Sequence, residues 1–208
     1  LDTMNYSIKV KKATQSTVNQ VDLNNISMGK KFTDHMFVCD YENGEWQNPR
    51  IEPLALIPTH PAAMALHYGQ AIFEGMKATL GKNGTPLLFR PDENAKRMIR
   101  SCSKVLMPEV PVEKFIDACK QVVKANEHFV PPYGSGGTLY LRPFVIGVGD
   151  NIGVKAAPEY IFSVFCIPVG PYFKGGVNPV NFLVAPEYDR AAPHGTGAAK
   201  VGGNYAAS

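Results

Sequence analysis

Residues 160–169 read Tyr-Ile-Phe-Ser-Val-Phe-Cys-Ile-Pro-Val, an apolar run with one small polar side chain and no charge. It lacks the polar–apolar alternation of a strand with one wet face, and it predicts a strand buried on both faces. A chain carrying such a strand must supply sheet neighbours and covering layers for it. The rest of the sequence offers candidates. Residues 138–148 read as a second strand. Residues 32–57 hold short apolar pieces broken by turn residues, with Glu42-Asn43-Gly44-Glu45 as a hairpin turn. Residues 71–80 and 86–89 read as two strands joined by Gly81-Lys82-Asn83-Gly84.

Two helices are expected between these groups of strands. Pro91 stands where the first begins, and residues 92–106 carry apolar side chains at 95, 98, 99, 102, 105 and 106. Pro108 and Pro111 end it. The second carries Val112, Phe115, Ile116, Cys119, Val122, Val123 and Phe129 as a 3.6-residue stripe. Residues 131–137 form a loop. Residues 170–179 are rich in Gly and Pro and fit a linker, and residues 181–185 start another strand. Residues 191–203 are so dense in Gly and Ala that the backbone there must approach something closely. The order implies a mixed α+β domain over residues 1–169, a linker at 170–179, and the opening of a second domain at 180–208.

A chain of 208 residues with 45% hydrophobic and 19% charged side chains can bury a real core. The net charge is +3, and Lys9, Lys11 and Lys12, with the Lys30–Lys31 pair, lack interleaved aromatics, so no nucleic-acid partner is expected. Cys39, Cys102, Cys119 and Cys166 form no C-x-x-C pair. The last three sit in apolar surroundings, which favours free thiols in a reducing compartment. The first residues hold no apolar leader segment, and Met4 is a candidate natural start. Apolar runs are too short to span a bilayer. The cytoplasm is the expected location.

Four segments place polar groups where chemistry is plausible. In Gly195-Thr196-Gly197-Ala198-Ala199-Lys200-Val201-Gly202-Gly203-Asn204-Tyr205 a lysine stands between small residues, with room for a ligand. The phosphate-loop pattern G-x-x-x-x-G-K-[ST] is absent there. Asn94-Ala95-Lys96-Arg97 lies on the first helix. In Tyr140-Leu141-Arg142 strand alternation puts Tyr140 and Arg142 on one face. The fourth is His67-Tyr68-Gly69-Gln70-Ala71-Ile72-Phe73-Glu74-Gly75-Met76-Lys77. Taken singly, each has an ordinary reading: a surface lysine, a solvated arginine, core aromatics, turn glycines. No role is assigned to His194.

Together and in order, HYGQAIFEGMKA, LFRPDENAKRM, LYLRP, PVGPYF and GAAKVGGNYAAS resemble the branched-chain amino acid aminotransferases, of the class IV pyridoxal-phosphate-dependent aminotransferases. The likeness runs over residues 32–208. It implies a fold-type IV enzyme, with a small N-terminal domain and the beginning of a larger domain that binds pyridoxal 5'-phosphate (PLP). It also implies amino-group transfer between Leu, Ile or Val and 2-oxoglutarate. On this resemblance Lys200 would be the Schiff-base lysine, Tyr205 would hydrogen-bond the cofactor's phenolic oxygen, and Arg97 would grip its phosphate. Arg190 would lie near the cofactor. Phe73, Tyr140 and Tyr172 would line the substrate pocket, with Arg142 beside Tyr140 receiving the side-chain carboxylate of glutamate. Tyr68 and the Ile152-Gly153-Val154 loop would reach the partner subunit's site in a homodimer, so Tyr68 and Val154 count as substrate-binding. Small amino acids and 2-oxo acids are the implied partners, and no metal is implied.

Rivals within the fold are a D-amino acid transaminase and an aminodeoxychorismate lyase, but FEGMK and GGNY favour the branched-chain subgroup. A non-catalytic fragment is the rival of another kind. Family members continue well past the lysine motif, so the 208-residue chain is expected to be incomplete and inactive alone.

Overall fold

The computed structural model describes residues 7–26, 31–173, 176 and 178–206. Met4, Lys30 and linker residues 174, 175 and 177, named above, lie outside them. Among the described residues eight strands form one sheet: β1 (Lys9–Val10), β2 (His35–Glu42), β3 (Glu45–Pro53), β4 (Ala71–Phe73), β5 (Met76–Leu80), β6 (Pro86–Leu88), β7 (Thr138–Val148) and β8 (Glu159–Val169). Their order is β1-β3-β2-β8-β7-β5-β6, and β4 also pairs with β7. The apolar run thus lies centrally, antiparallel to β2 on one side and β7 on the other. Its one small polar side chain, the fully buried Ser163, donates its hydroxyl to the Phe37 carbonyl of β2 at 2.7 Å. That contact removes the penalty of burying it.

One face of the sheet is covered by α2 (Pro91–Lys104) and α3 (Val112–Ala125), and a short helix α1 (Met64–His67) precedes β4 in the chain. The stripe predicted for α3 is buried through Phe115, Cys119, Val122 and Val123, and Phe115 stacks on Phe162 of β8. Phe129 is buried just beyond it, on a separate single 3-10 turn. α2 begins at Pro91 as expected and buries Ala95, Met98 and Cys102. It stops at Lys104, short of 106. Leu106 takes a left-handed backbone (φ 54°) and is exposed, because Pro108 leaves no room to continue the helix. The hairpin turn between β2 and β3 falls at Asn43-Gly44, both at positive φ, the backbone that a two-residue turn needs.

Two strand expectations are corrected. The single strand expected over 71–80 is two, β4 and β5, which pair with β7 in one continuous register on either side of a gap at Glu74-Gly75. Pro143 lies opposite that gap and has no N–H to give, so the ladder lapses there. Only the Glu74 N–H reaches across, to the Pro143 carbonyl at 2.7 Å. Residues 181–185 form no strand, and Phe182, Leu183 and Val184 are 85%, 93% and 83% exposed. No described strand lies alongside to hydrogen-bond them, and an unpaired segment of this length does not hold a strand geometry.

The four cysteines are buried, and Cys102, Cys119 and Cys166 are free thiols. Burial pushes the Cys102 thiol up to about 12 and raises those of Cys119 and Cys166 well above the usual range. Among the described residues no helix is long and apolar enough to cross a membrane, and no three His, Cys, Asp or Glu side chains gather as metal ligands.

Candidate active site

The gap in the sheet and the strand face away from the helices organise the site. On β7, Leu139, Leu141 and Val145 enter the core, while Tyr140, Arg142 and Phe144 take the other face, half-buried, as the alternation predicted. Arg142 donates to the Tyr140 hydroxyl at 3.1 Å, and its guanidinium carbon lies 4.7 Å from the centre of the Phe73 ring. Its Nε is buried without a hydrogen-bond partner among the described residues. An arginine with an unused buried donor is ready for an acceptor brought by a ligand. The Tyr140 hydroxyl sits directly over Gly75, where a Cβ would collide with it. Glycine is required there by close approach.

The Gly/Ala-rich segment docks onto this corner, as its composition implied. The Lys200 carbonyl accepts from the Phe73 N–H at 3.0 Å, and its own N–H donates to Ser101 Oγ of α2 at 3.0 Å. Val201 bridges to Ile72 of β4. Ser101 in turn donates to the Arg97 carbonyl. Buried Asn204 ties the segment to itself: its amide donates to the Thr196 and Ala199 carbonyls at 2.8 and 2.9 Å, and its oxygen accepts from the Thr196 hydroxyl at 2.7 Å. The backbone of Lys200 is therefore held on both sides while its side chain remains reachable.

Lys200 Nζ hydrogen-bonds the Tyr205 hydroxyl at 3.3 Å and lies 4.4 Å from the Phe73 ring centre and 5.2 Å from that of Tyr205. The two rings meet edge-on, with centres 5.0 Å apart. Arg190 donates to the Gly197 carbonyl at 3.1 Å and stands 5.6 Å from the Tyr205 ring centre. Arg97 forms a two-pronged pair with buried Glu74, Nε to Oε1 at 2.6 Å and Nη2 to Oε2 at 2.7 Å. The hydrogen bond to Glu74, with the charge of its carboxylate, outweighs burial and holds the guanidinium above its ordinary pKa.

Seven of the ten residues singled out from the sequence thus gather: Phe73, Arg97, Tyr140, Arg142, Arg190, Lys200 and Tyr205. Three do not join them. Tyr172 is exposed and meets Phe173, Tyr68 lies beside His67, and Val154 is 90% exposed. Beside the cluster a shallow hollow is lined by Phe73, Arg142, Phe144, Ile146, Phe165 and Gly202.

No family model matches the chain. Curated relatives do. The branched-chain-amino-acid aminotransferase of Haemophilus influenzae is 55% identical over 191 residues, 92% of this chain and 55% of that protein. The one from Helicobacter pylori is 50% identical over 192 residues, 92% of this chain and 56% of its own. By homology the chain belongs to the branched-chain aminotransferase family. It spans about half the length of the family members it matches. Among solved structures, the branched-chain amino acid aminotransferase of Escherichia coli has the same fold-type IV architecture, with a TM-score of 0.54 at 22% identity over 83% of this chain and 52% of that one.

Within this family frame, sequence reasoning passed over three side chains that build the corner: Glu74, Ser101 and Asn204. Each lay inside or near a quoted motif, yet none has a type that signals chemistry by itself. Glu74 carried the best available signal, since a carboxylate between Phe73 and Gly75 in a strand has to be paired.

Proposed function

We propose that the full-length protein is a PLP-dependent aminotransferase acting on branched-chain amino acids, with Lys200 as its cofactor lysine. The observation that carries this reading is the setting of Lys200 Nζ, against two aromatic rings and a phenol, on a backbone anchored from both sides. These residues fit PLP: an amine for its aldehyde, a phenol for its ring oxygen, and a guanidinium for its phosphate. Arg97 keeps two Nη1–H donors outside its pair with Glu74 for that last role.

When bound, PLP supplies the electron sink for bond breaking at the amino acid's α-carbon. Lys200 Nζ is the base that takes the α-proton and returns it. Tyr205 orients that amine through its hydroxyl. Phe73 and Tyr140 offer apolar walls to a branched side chain, and Tyr140 with Arg142 offers donors to carboxylates, so one pocket serves leucine and glutamate in turn. Arg190 steadies the Tyr205 side of the site.

The units proposed are a small domain at residues 1–169, a linker at 170–179 and the start of the cofactor-binding domain at 180–208. Exposed Tyr68, Ile152 and Val154 suit a homodimer in which they complete the partner's pocket. The free thiols of Cys102, Cys119 and Cys166 suit the cytoplasm. Borohydride reduction of the full-length protein with bound PLP, followed by peptide mapping, is expected to leave the phosphopyridoxyl group on Lys200. A label on Lys77 instead would overturn the assignment.

A further inference from the structure

Glu74 is 0% exposed, and both its oxygens are occupied. Oε1 accepts from Arg97 Nε, and Oε2 accepts from Arg97 Nη2, from Asn94 Nδ2 at 3.1 Å and from the Gly75 N–H at 3.2 Å. Its place is set by the break between β4 and β5 opposite Pro143, where the chain has left the ladder. Stability alone is a weak reason to keep such a group, because a buried ion pair is often replaceable by apolar side chains without loss. Arg97, by contrast, is a long side chain that remains 45% exposed and would sample many rotamers if nothing held it.

We propose that Glu74 is a positioning residue for the cofactor's phosphate: it clamps one edge of the Arg97 guanidinium so that the opposite edge presents fixed N–H donors. The proposal rests on the reading of Arg97 as the phosphate ligand. The clamped pair carries no net charge, so the attraction it offers is directional, through aimed N–H groups. Prepaid ordering of one arginine side chain is worth about threefold to tenfold in affinity.

The test uses the full-length protein freed of cofactor and titrated with PLP and with pyridoxal, which lacks the phosphate, following the absorbance of the lysine-bound ligand. Glu74→Gln, Arg97→Met and the double variant are compared with the parent. Glu74→Gln is expected to weaken PLP about threefold to tenfold, to leave pyridoxal unchanged, and to add nothing in the Arg97→Met background. A loss shared equally by pyridoxal, or one that persists without Arg97, overturns the proposal and marks Glu74 as merely structural. If Arg97→Met itself shows no selective loss of PLP, the phosphate reading of Arg97 fails and the clamp falls with it. Should Glu74→Gln not fold by circular dichroism, Glu74→Asp carries the comparison. Its carboxylate is withdrawn by one methylene, so the same PLP-selective loss is expected and an unselective one refutes the clamp.

Discussion

Two apolar stretches of this chain meet opposite fates. β8 is placed between β2 and β7 and under α3, and Phe162, Val164 and Cys166 are almost wholly buried. Residues 181–185, read Asn-Phe-Leu-Val-Ala, are comparably apolar over their centre, yet Phe182, Leu183 and Val184 face solvent. Propensity is similar in the two. What differs is the supply of neighbours: a strand is stable through ladder hydrogen bonds and cross-strand packing, and only β8 has them on both edges. Apolarity states a demand for partners and does not itself meet it.

The sharpest way to break this comparison is a pair of truncations in the 208-residue chain. Phe162→Ala removes a ring packed against Phe37, Phe115 and Trp46 and is expected to cost about 3–5 kcal/mol. Leu183→Ala is expected to stay within about 0.5 kcal/mol. Urea denaturation of both variants measures this, and similar losses would mean that 181–185 is packed after all.

A smaller effect probes the seam between the two regions. The Gly/Ala-rich segment is tied to the core where Lys200 meets Ser101 and Phe73. Ser101→Ala leaves the Lys200 N–H without its acceptor, at a cost of about 1–3 kcal/mol. Hydrogen exchange at the Lys200 amide should accelerate by a corresponding factor, while amides of β8 stay protected. Equal acceleration in both places would mean that the seam and the core open together.

The smallest effect concerns the other flank of the sheet, the N-terminal arm. Burial raises the pKa of Asp34, but hydrogen bonds from Ser16, Thr17 and His128 outweigh it and hold the carboxyl below its ordinary value. Its stabilising contribution is therefore present above about pH 3.9 and is lost as the pH falls through the lower folded-state value. The gap in urea midpoint between the parent and Asp34→Asn is expected to be wider at pH 6 than at pH 3. A constant gap would show that the arm's attachment does not depend on the carboxylate's charge.

Much of this architecture was legible from local pattern. The limits of β7, the start of α2 at Pro91 and the Asn43-Gly44 turn all follow from short-range chemistry: alternation, a fixed φ, and tolerance of a left-handed backbone. The pairing of Tyr140 with Arg142 on one face was equally readable. Less legible were features that depend on a residue far away in sequence. The break at Glu74-Gly75 depends on Pro143, and the exposure of 181–185 goes with the lack of a strand beside it among the described residues.

The sequence by itself therefore determined the alternation and periodicity of the elements, and its motifs pointed to the family and to Lys200 with five residues that come together around it. Only the tertiary structure decided that Glu74 clamps Arg97, that Ser101 and Phe73 anchor the lysine backbone, and that Gly75 yields its side-chain space to the Tyr140 hydroxyl. The reason is physical. Periodicity is a property of each segment alone, whereas satisfying a buried carboxylate or a backbone N–H requires a partner that the chain brings from dozens of residues away.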